Sequence, residues 1–550
     1  MLFISILSLI TAKAVKLINI NHIQFTRISF LILLYAGALN FNVLYFQSIG
    51  TGIGIYNGYF HITQITQSLE IIMFIVGGLI LLSWPNIATK DFLNNTTTYK
   101  TLEKSGDNYS TNYSIIILFS ILGSSLLISS FDLISIYLSI ELQSFGLYIL
   151  ATLYRNSESS TSAGLKYFLL GALSSCIILL GSGIVYAYSG ITNIESLSLI
   201  TYLSNSEFLL AMPTESNNYL YSIQGIYLGT IIIFIGFLFK IAAAPLHNWS
   251  PDVYDEVPTI VTTWLTIIPK IAILFLLLKL QSNLFTFAYI GQTEIFTQIT
   301  SLSNFKLFNI GEGLDKNILL ISSLLSLIIG SILGLSQVKI KRLLAYSTIS
   351  HIGFILLALA INTEQSIDSF IFYIIQYTIT NLNIFLIILA LSYKANNYWN
   401  TKELNDTNKD INYIYQFNNL FFKNPLLCIS LAICLFSMAG IPPLIGFFSK
   451  QFVLYSALQN GYYFISIIAI LVSVISASYY LQIIKNMYSE SSNNTVNGDN
   501  INDNNQIISP LSNTHSYLIS ILNIIILFFF IKPNLLLNGT QLLALSLFFN

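Results

Sequence analysis

Residues 237–254 read FLFKIAAAPLHNWSPDVY, a lysine at the end of a long apolar run with a proline five residues later. Upstream, the run from 222 onward is apolar enough to cross a ~30 Å hydrocarbon core. Lys240 therefore stands where a charge is costly, next to Pro245, which lacks an N–H and cannot donate to the carbonyl of Ile241. Broken backbone at membrane depth survives only where protein or water satisfies it. A second stretch repeats the theme: residues 436–455 read FSMAGIPPLIGFFSKQFVLY, with Pro442 and Pro443 followed by Lys450. The apolar stretch 425–458 is 34 residues long, some 50 Å as a straight helix at ~1.5 Å per residue. A break near the prolines brings that length back within a bilayer.

The rest of the chain sets the context. Of 550 residues, 9% are charged and 54% hydrophobic, with a mean hydropathy of +0.72. Soluble domains carry about 25% charged residues. This excludes a soluble enzyme, a disordered chain and, at net charge -1, an electrostatic binder of nucleic acid. The alternation of a membrane β-barrel is absent. About fourteen apolar spans are predicted, with cores at 1–19, 28–48, 69–84, 112–128, 131–154, 162–187, 222–247, 259–280, 318–337, 342–361, 369–393, 425–458, 462–487 and 514–532. The fold class is an all-α polytopic membrane protein. The N-terminus has no basic region or cleavage site and reads as a first helix that is retained. The longer connectors are 85–111, 188–221, 281–317, 394–424 and the Asn/Asp-rich 488–513; none reads as a domain.

Basic residues sort the loops. Lys13, Lys16, Arg27, Lys90, Lys100, Lys104, Arg155, Lys339, Lys341, Arg342, Lys394, Lys402, Lys409, Lys423 and Lys485 follow odd-numbered spans. Lys306 and Lys316 follow even-numbered ones. The positive-inside bias puts the odd loops on the cytoplasmic or matrix side and both termini on the other. On this reading Lys339, Lys341 and Arg342 are a topology signal. Cys176, Cys428 and Cys434 lie in apolar runs and read as small buried hydrophobes. Only Arg27, Arg155 and Arg342 are arginine, while Ile, Asn, Tyr, Phe and Lys abound; AT-rich codons of this kind suit a mitochondrial genome.

The ionisable residues left inside spans are Glu141, Lys166, Lys240, Lys270, His351 and Lys450. A charge at the bilayer centre costs roughly 2.5–3.5 kcal/mol on insertion scales, so such groups normally face a bundle interior or a water path. Lys166, about five residues into its span, can also reach the interface by snorkelling, and Lys279 at a span end reads as snorkelling. His351 is open to a relay or to a satisfied core position. His247, beside Trp249 and Pro251, is open to a relay or to an interface position. Lysine is informative because burial can lower its free pKa of ~10.4 toward neutrality, whereas arginine stays charged. Four lysines, a glutamate and a histidine suit a proton relay better than a cation filter. Glu141 is the natural counter-charge of Lys240, and separating the two would release the lysine's proton.

The two broken spans, seventh and twelfth, are five spans apart. Five is odd, so helices 4–8 and 9–13 are expected to form inverted repeats, although the order of lysine and proline differs between them. The implied divisions are 1–111, 112–280, 281–487 and 488–550.

These strings, with WLTIIPKIAILFLL (264–277), KIKRLLAYSTISHIGFIL (339–356) and AGLKYFLLGALSS (163–175), resemble the antiporter-like, Mrp-type subunits of respiratory complex I. The resemblance covers nearly all of spans four to thirteen. It implies an inverted-repeat proton-translocating module in the mitochondrial inner membrane. The Glu–Lys pair falls on Glu141 and Lys240, the central relay lysine on Lys270 and the distal one on Lys450. His351 lies in the family's Ser-x-x-Ser-His string (Ser347, Ser350, His351), and Lys166 sits where a residue modulates the pair. It implies no cofactor on this chain, with NADH, FMN, Fe–S clusters and ubiquinone on other subunits. The implied partners are neighbouring antiporter-like and small membrane subunits and lipids. The competing readings are a subunit of a multi-subunit Na⁺/H⁺ antiporter and a scaffold whose charges are remnants.

Overall fold

The computed structural model describes residues 1–15, 22–45, 52–83, 99–155, 157–205, 216–285, 314–399, 410–489 and 512–548. Lys16, Lys90, Lys306, Lys402 and Lys409, and most of the loop 488–513, lie outside them.

The chain is a succession of helices: α1 (Leu2–Ala14), α2 (His22–Val43), α3 (Gln64–Leu82), α4 (Tyr99–Ser129), α5 (Leu133–Ala151), α6 (Glu158–Ser189), α7 (Ile194–Asn205), α8 (Ser216–Ile241), α9 (Trp249–Glu256), α10 (Thr259–Phe285) and α11 (Leu314–Leu335). Then come α12 (Ile340–Ile361), α13 (Glu364–Trp399), α14 (Pro425–Ala439), α15 (Ile445–Gln459), α16 (Tyr463–Tyr488), α17 (Asn513–Phe528) and α18 (Asn534–Phe548). Among the described residues, twelve helices are long and apolar enough to span a membrane, and Leu2–Ala14 and Pro425–Ala439 are shorter apolar helices. All fourteen expected spans thus have a helix. The sequence reading missed α7, α18 and a small antiparallel hairpin, β1 (Ile53–Ile55) and β2 (Phe60–Ile62). Burial is uneven. The membrane span of α10 is fully buried and α12 nearly so, whereas α6 is largely exposed. Cys176, on exposed α6, is a correction to the expected burial; Cys428 and Cys434 are buried.

Two hairpins, α4–α5 and α11–α12, are built alike at a constant shift of 207 residues. Asp132 and Lys339 hold the N-cap positions of α5 and α12. Leu133 N–H donates to Thr192 O (3.0 Å) and Ile194 N–H to Phe131 O (3.2 Å). Shifted by 207 on that side, Ile340 N–H donates to Asn412 O (2.9 Å) and Ile414 N–H to Val338 O (3.1 Å). The close approach within each hairpin uses the same glycines. A Cβ on Gly123 would meet Gln143 N at 2.5 Å, and one on Gly330 would meet Ser350 N at 2.7 Å. Gly146 against Ser120 and Gly353 against Leu327 complete the pairs. Small residues of this kind let membrane helices pack backbone to backbone.

A side chain at Gly330 therefore forces α11 and α12 apart. Overpacking of this kind costs roughly 1–3 kcal/mol or more. Gly330→Leu is expected to lower the amount of folded chain recovered from membranes, while Gly183→Leu, where a Cβ meets nothing within 4 Å, is expected to match the parent.

Candidate functional site: a line of buried amines

Each broken span ends its first half in the same way. In α8, Ala242 N–H returns to Phe239 O (3.1 Å) and Ala243 N–H to Leu238 O (3.0 Å), with Ala242 left-handed at φ 65°. In α14, Gly440 N–H returns to Ser437 O (3.1 Å) and Ile441 N–H to Phe436 O (3.1 Å), with Gly440 at φ 85°. This paired 5→2 and 6→1 closure is a Schellman stop. The left-handed residue thus stands three before the aligned proline, and the helix does not wait for it. Placing the stops together brings Pro245 onto Pro443 and Leu246 onto Leu444. Both prolines follow a cis bond. The order of lysine and proline does differ, since Lys240 lies two residues before its stop and Lys450 ten after.

A stop leaves carbonyls without helical donors, and each break finds a different donor. Trp249 Nε1–H donates to Phe239 O (3.0 Å) while its ring stacks on Tyr167 with centroids 5.1 Å apart. At the second break, Lys450 Nζ donates to Met438 O (2.9 Å) and Ala439 O (3.0 Å).

Glu141 of α5 faces Lys240 of α8, Oε1 to Nζ 3.7 Å, with side-chain exposures of 17% and 7%. The two atoms are buried and share no direct hydrogen bond. Beside them is a cavity of about 30 Å³, measured to water centres, room for one or two waters. It is lined by Lys240, Gln143, Ser144, Tyr148, Trp249 and Pro269 among others. Both amide atoms of Gln143 are buried without a protein partner, which makes the cavity polar as well as roomy.

Pro269 lies inside α10, immediately before Lys270. Lys270, 3% exposed, donates to Thr348 Oγ1 (3.0 Å) and lies 5.4 Å from the centre of the Tyr254 ring. Thr348 begins a row on α12 at three-residue spacing. One turn on, His351 pairs through Nδ1 with Tyr373 OH (2.8 Å) and through Nε2 with Tyr480 OH (3.5 Å). One turn further, the Phe354 ring lies 5.8 Å from Lys450 Nζ. Each step rises ~4.5 Å, so a single face of α12 runs from Lys270 past His351 to Lys450. Thr348, Tyr373 and Tyr480 were not singled out from sequence; a three-residue count to either side of His351 would have found Thr348.

Two secondary candidates lie elsewhere. Lys166 is 46% exposed and pairs with Glu256 (3.4 Å) and Asp252 (3.9 Å) of α9. His247 is buried beside the first break, its Nδ1 3.2 Å from Pro245 O and its ring against Tyr346. Lys279 does not snorkel: its buried amine donates to Ser130 O (2.7 Å) and Ile128 O (3.3 Å) at the end of α4 and sits over the Phe131 ring. Glu70, a buried carboxylate that the sequence reading passed over, accepts from Asn40 Nδ2 (2.6 Å). Among the described residues no three His, Cys, Asp or Glu side chains converge in a metal-holding group.

Paired helical hairpins, two broken helices and a file of buried lysines define an antiporter-like membrane module. The family model described as NADH:quinone oxidoreductase/Mrp antiporter, transmembrane, matches residues 130–306 and 304–476, and the chain belongs to that family. Among its relatives, NADH-ubiquinone oxidoreductase chain 2 of Rhizopus oryzae is 45% identical over the full length of both chains. The chain 2 of Marchantia polymorpha is 36% identical over 79% of this chain and 76% of its own. NADH-quinone oxidoreductase subunit N of a Wolbachia is 38% identical over 68% and 69%. In fold, the chain matches one from respiratory complex I of Thermus thermophilus at TM-score 0.66, with 21% identity and 98% and 97% coverage. It matches a chain of the Mrp complex of a Dietzia species at 0.70, with 16% identity and 98% and 95% coverage.

Trp249→Phe keeps the ring on Tyr167 and removes the N–H that serves Phe239 O. Ala242 N–H still donates to Phe239 O, so the loss is one of two hydrogen bonds, about 0.5–1.5 kcal/mol. The expected result is a slightly lower midpoint of thermal unfolding in detergent; an unchanged midpoint would mean that the indole N–H adds nothing to the bond from Ala242.

Proposed function

We propose that this chain is a proton-translocating subunit of the membrane arm of respiratory complex I. In this role it couples NADH:ubiquinone oxidoreduction to proton movement and carries no redox centre itself. The full-length identity to a chain 2 supports the complex. The observation that carries the site is the row Thr348, His351, Phe354 on α12, which spans from Lys270 to Lys450. In this reading Glu141 and Lys240 hold the first proton position. The cavity beside Lys240 supplies the water link toward Pro269 and Lys270. The hydroxyl of Thr348 and the imidazole of His351, with its tyrosine partners, continue toward Lys450. Lys166 and His247 act on the surroundings of this line. Carbonyl and hydroxyl acceptors suit an amine that changes protonation, because they leave no bare anion when the ammonium becomes an amine.

The proposed division is a first five-helix unit at 112–280 and a second at 281–487, inverted with respect to each other, flanked by 1–111 and 488–550. The hairpins related by 207 residues and the matching Schellman stops support it. The bias of basic residues supports an inner-membrane orientation with the odd loops in the matrix and both termini in the intermembrane space. NADH, FMN, Fe–S clusters and ubiquinone belong to other subunits. Exposed apolar side chains on α5 and α6, such as Leu138, Phe145, Leu165 and Leu169, suit neighbouring membrane subunits and lipid. The alternative of a Na⁺/H⁺ antiporter subunit shares the fold; comigration of NADH:quinone activity with the chain on a native gel separates the two.

Lys240→Ala is expected to assemble and to lose proton pumping, read as quenching of a pH-sensitive dye in vesicles oxidising NADH. Glu141→Gln should behave alike, and Lys240→Arg should also fail, because arginine keeps its proton. Full pumping by assembled Lys240→Ala would refute the relay. Along α12, Thr348→Ser should retain pumping and Thr348→Val should lose most of it, since only the first keeps an acceptor for Lys270.

A further inference from the structure

Helix α9 has two working faces. Inward, Trp249 holds the carbonyl of Phe239, the residue before Lys240, and the Tyr254 ring lies against Lys270. One eight-residue helix therefore touches the surroundings of both lysines. Outward, the start of α12 grips it. Asp255, 5% exposed, pairs with Lys339 (2.8 Å) and with Arg342 Nε (3.2 Å). Lys341, also buried, donates to Val257 O (2.9 Å) just beyond α9 and to Asp410 Oδ2 (2.6 Å). Asp410 in turn accepts from the N–H (3.0 Å) and hydroxyl (3.2 Å) of Thr259, where α10 begins.

The basic string at 339–342 is thus more than a topology signal. Not all of its contacts weigh equally. Arg342 with Asp252 (2.8 Å), at 38% and 43% exposure, is a surface pair of small effect. Asp255 is buried, and stripping a buried charge of its partner is strongly destabilising. The grip therefore centres on Asp255 and Lys341, and it joins the tail of the first broken span to the helix that carries Thr348 and His351.

We propose that Asp255, held by Lys339 and Arg342, is a positioning residue that sets α9 against Lys240 and Lys270 and so couples the two halves of the proton line. The inference rests on the relay reading above. The clamp touches neither amine; it acts through Trp249 and Tyr254. Loosening it lets α9 shift, which moves the indole N–H and the phenol ring together.

The test uses the assembled complex in vesicles and reads protons moved per NADH oxidised. Asp255→Asn is expected to lower this ratio, and Asp255→Glu, which keeps the charge, to restore it. Lys240→Ala is measured alongside. A normal ratio in Asp255→Asn with a low ratio in Lys240→Ala overturns the clamp and leaves the relay standing. A normal ratio in Lys240→Ala overturns both. Should Asp255→Asn fail to assemble, Arg342→Gln, which leaves Asp255 its Lys339 partner, is expected to lower the ratio to a smaller degree, and a normal ratio there overturns the clamp.

Discussion

An amine inside an apolar bundle has to find acceptors, and that requirement organises this structure. Desolvating an ammonium costs several kcal/mol unless hydrogen bonds or an opposite charge replace the lost water. The chain meets the requirement in three ways. Lys240 has a carboxylate, Glu141. Lys270 has a hydroxyl, Thr348, and an aromatic face. Lys450 and Lys279 have the open carbonyls at the ends of α14 and α4. The third solution is made by backbone alone: ending a helix inside the bundle exposes acceptors that a continuous helix would consume. The second break therefore serves Lys450, and each stop is made by a left-handed residue, with the proline following it.

The proposed repeat accounts for the related pairs. At the shift of 207 residues that aligns the two hairpins, Glu141 falls on Thr348. The acceptor facing the first lysine is thus charged, and the acceptor facing the second is neutral. At the shift of 198 that aligns the breaks, Lys450 falls on Asp252. The position that serves open carbonyls in the second unit belongs, in the first, to the ionic contact with α12, and Trp249 takes over the carbonyl. Matching places in the proposed repeat thus carry different charges, an anion against a neutral hydroxyl at one and an anion against a cation at the other. Little identity survives along the two sequences because the shared features are glycines and N-cap positions, which constrain backbone more than side-chain chemistry.

That difference governs what was legible in the sequence. Scarcity of charge made Glu141, Lys240, Lys270 and Lys450 stand out, and apolar run length placed a helix in each of the fourteen expected stretches, twelve of them long enough to span a membrane among the described residues. Partners were harder, because a carbonyl acceptor has no sequence signature. Lys279 sits at a span end, where snorkelling and capping a neighbouring helix look the same in one dimension. Glu70 is buried within three residues of Gln67 on an α3 face that sequence does not distinguish from a polar end. The basic string 339–342 matched a membrane-topology rule, and its partners Asp252, Asp255 and Asp410 lie about 70 to 90 residues away. The hairpin at 53–62 is too short for its alternation to compete with helical runs on either side.

The unequal acceptors also constrain how a proton can move through such a line. Lys270 and Lys450 face neutral groups, so each can lose its charge without leaving an uncompensated anion. The Glu141–Lys240 pair cannot: removing one charge strands the other, at a cost of about 3–5 kcal/mol for a buried pair. A change of protonation at Lys240 must then accompany a change in its distance from Glu141, or a proton on both groups. Lys240 lies one residue from the end of α8, where the chain turns through Ala242 into the segment leading to α9. The body of α8 is packed on α6 through Gly229 and Gly236, as α5 is on α4 through Gly123 and Gly146, so any freedom lies in the turn itself. On the relay reading the lysine, next to that turn, is the partner to move, and whatever holds α9 limits how far it goes.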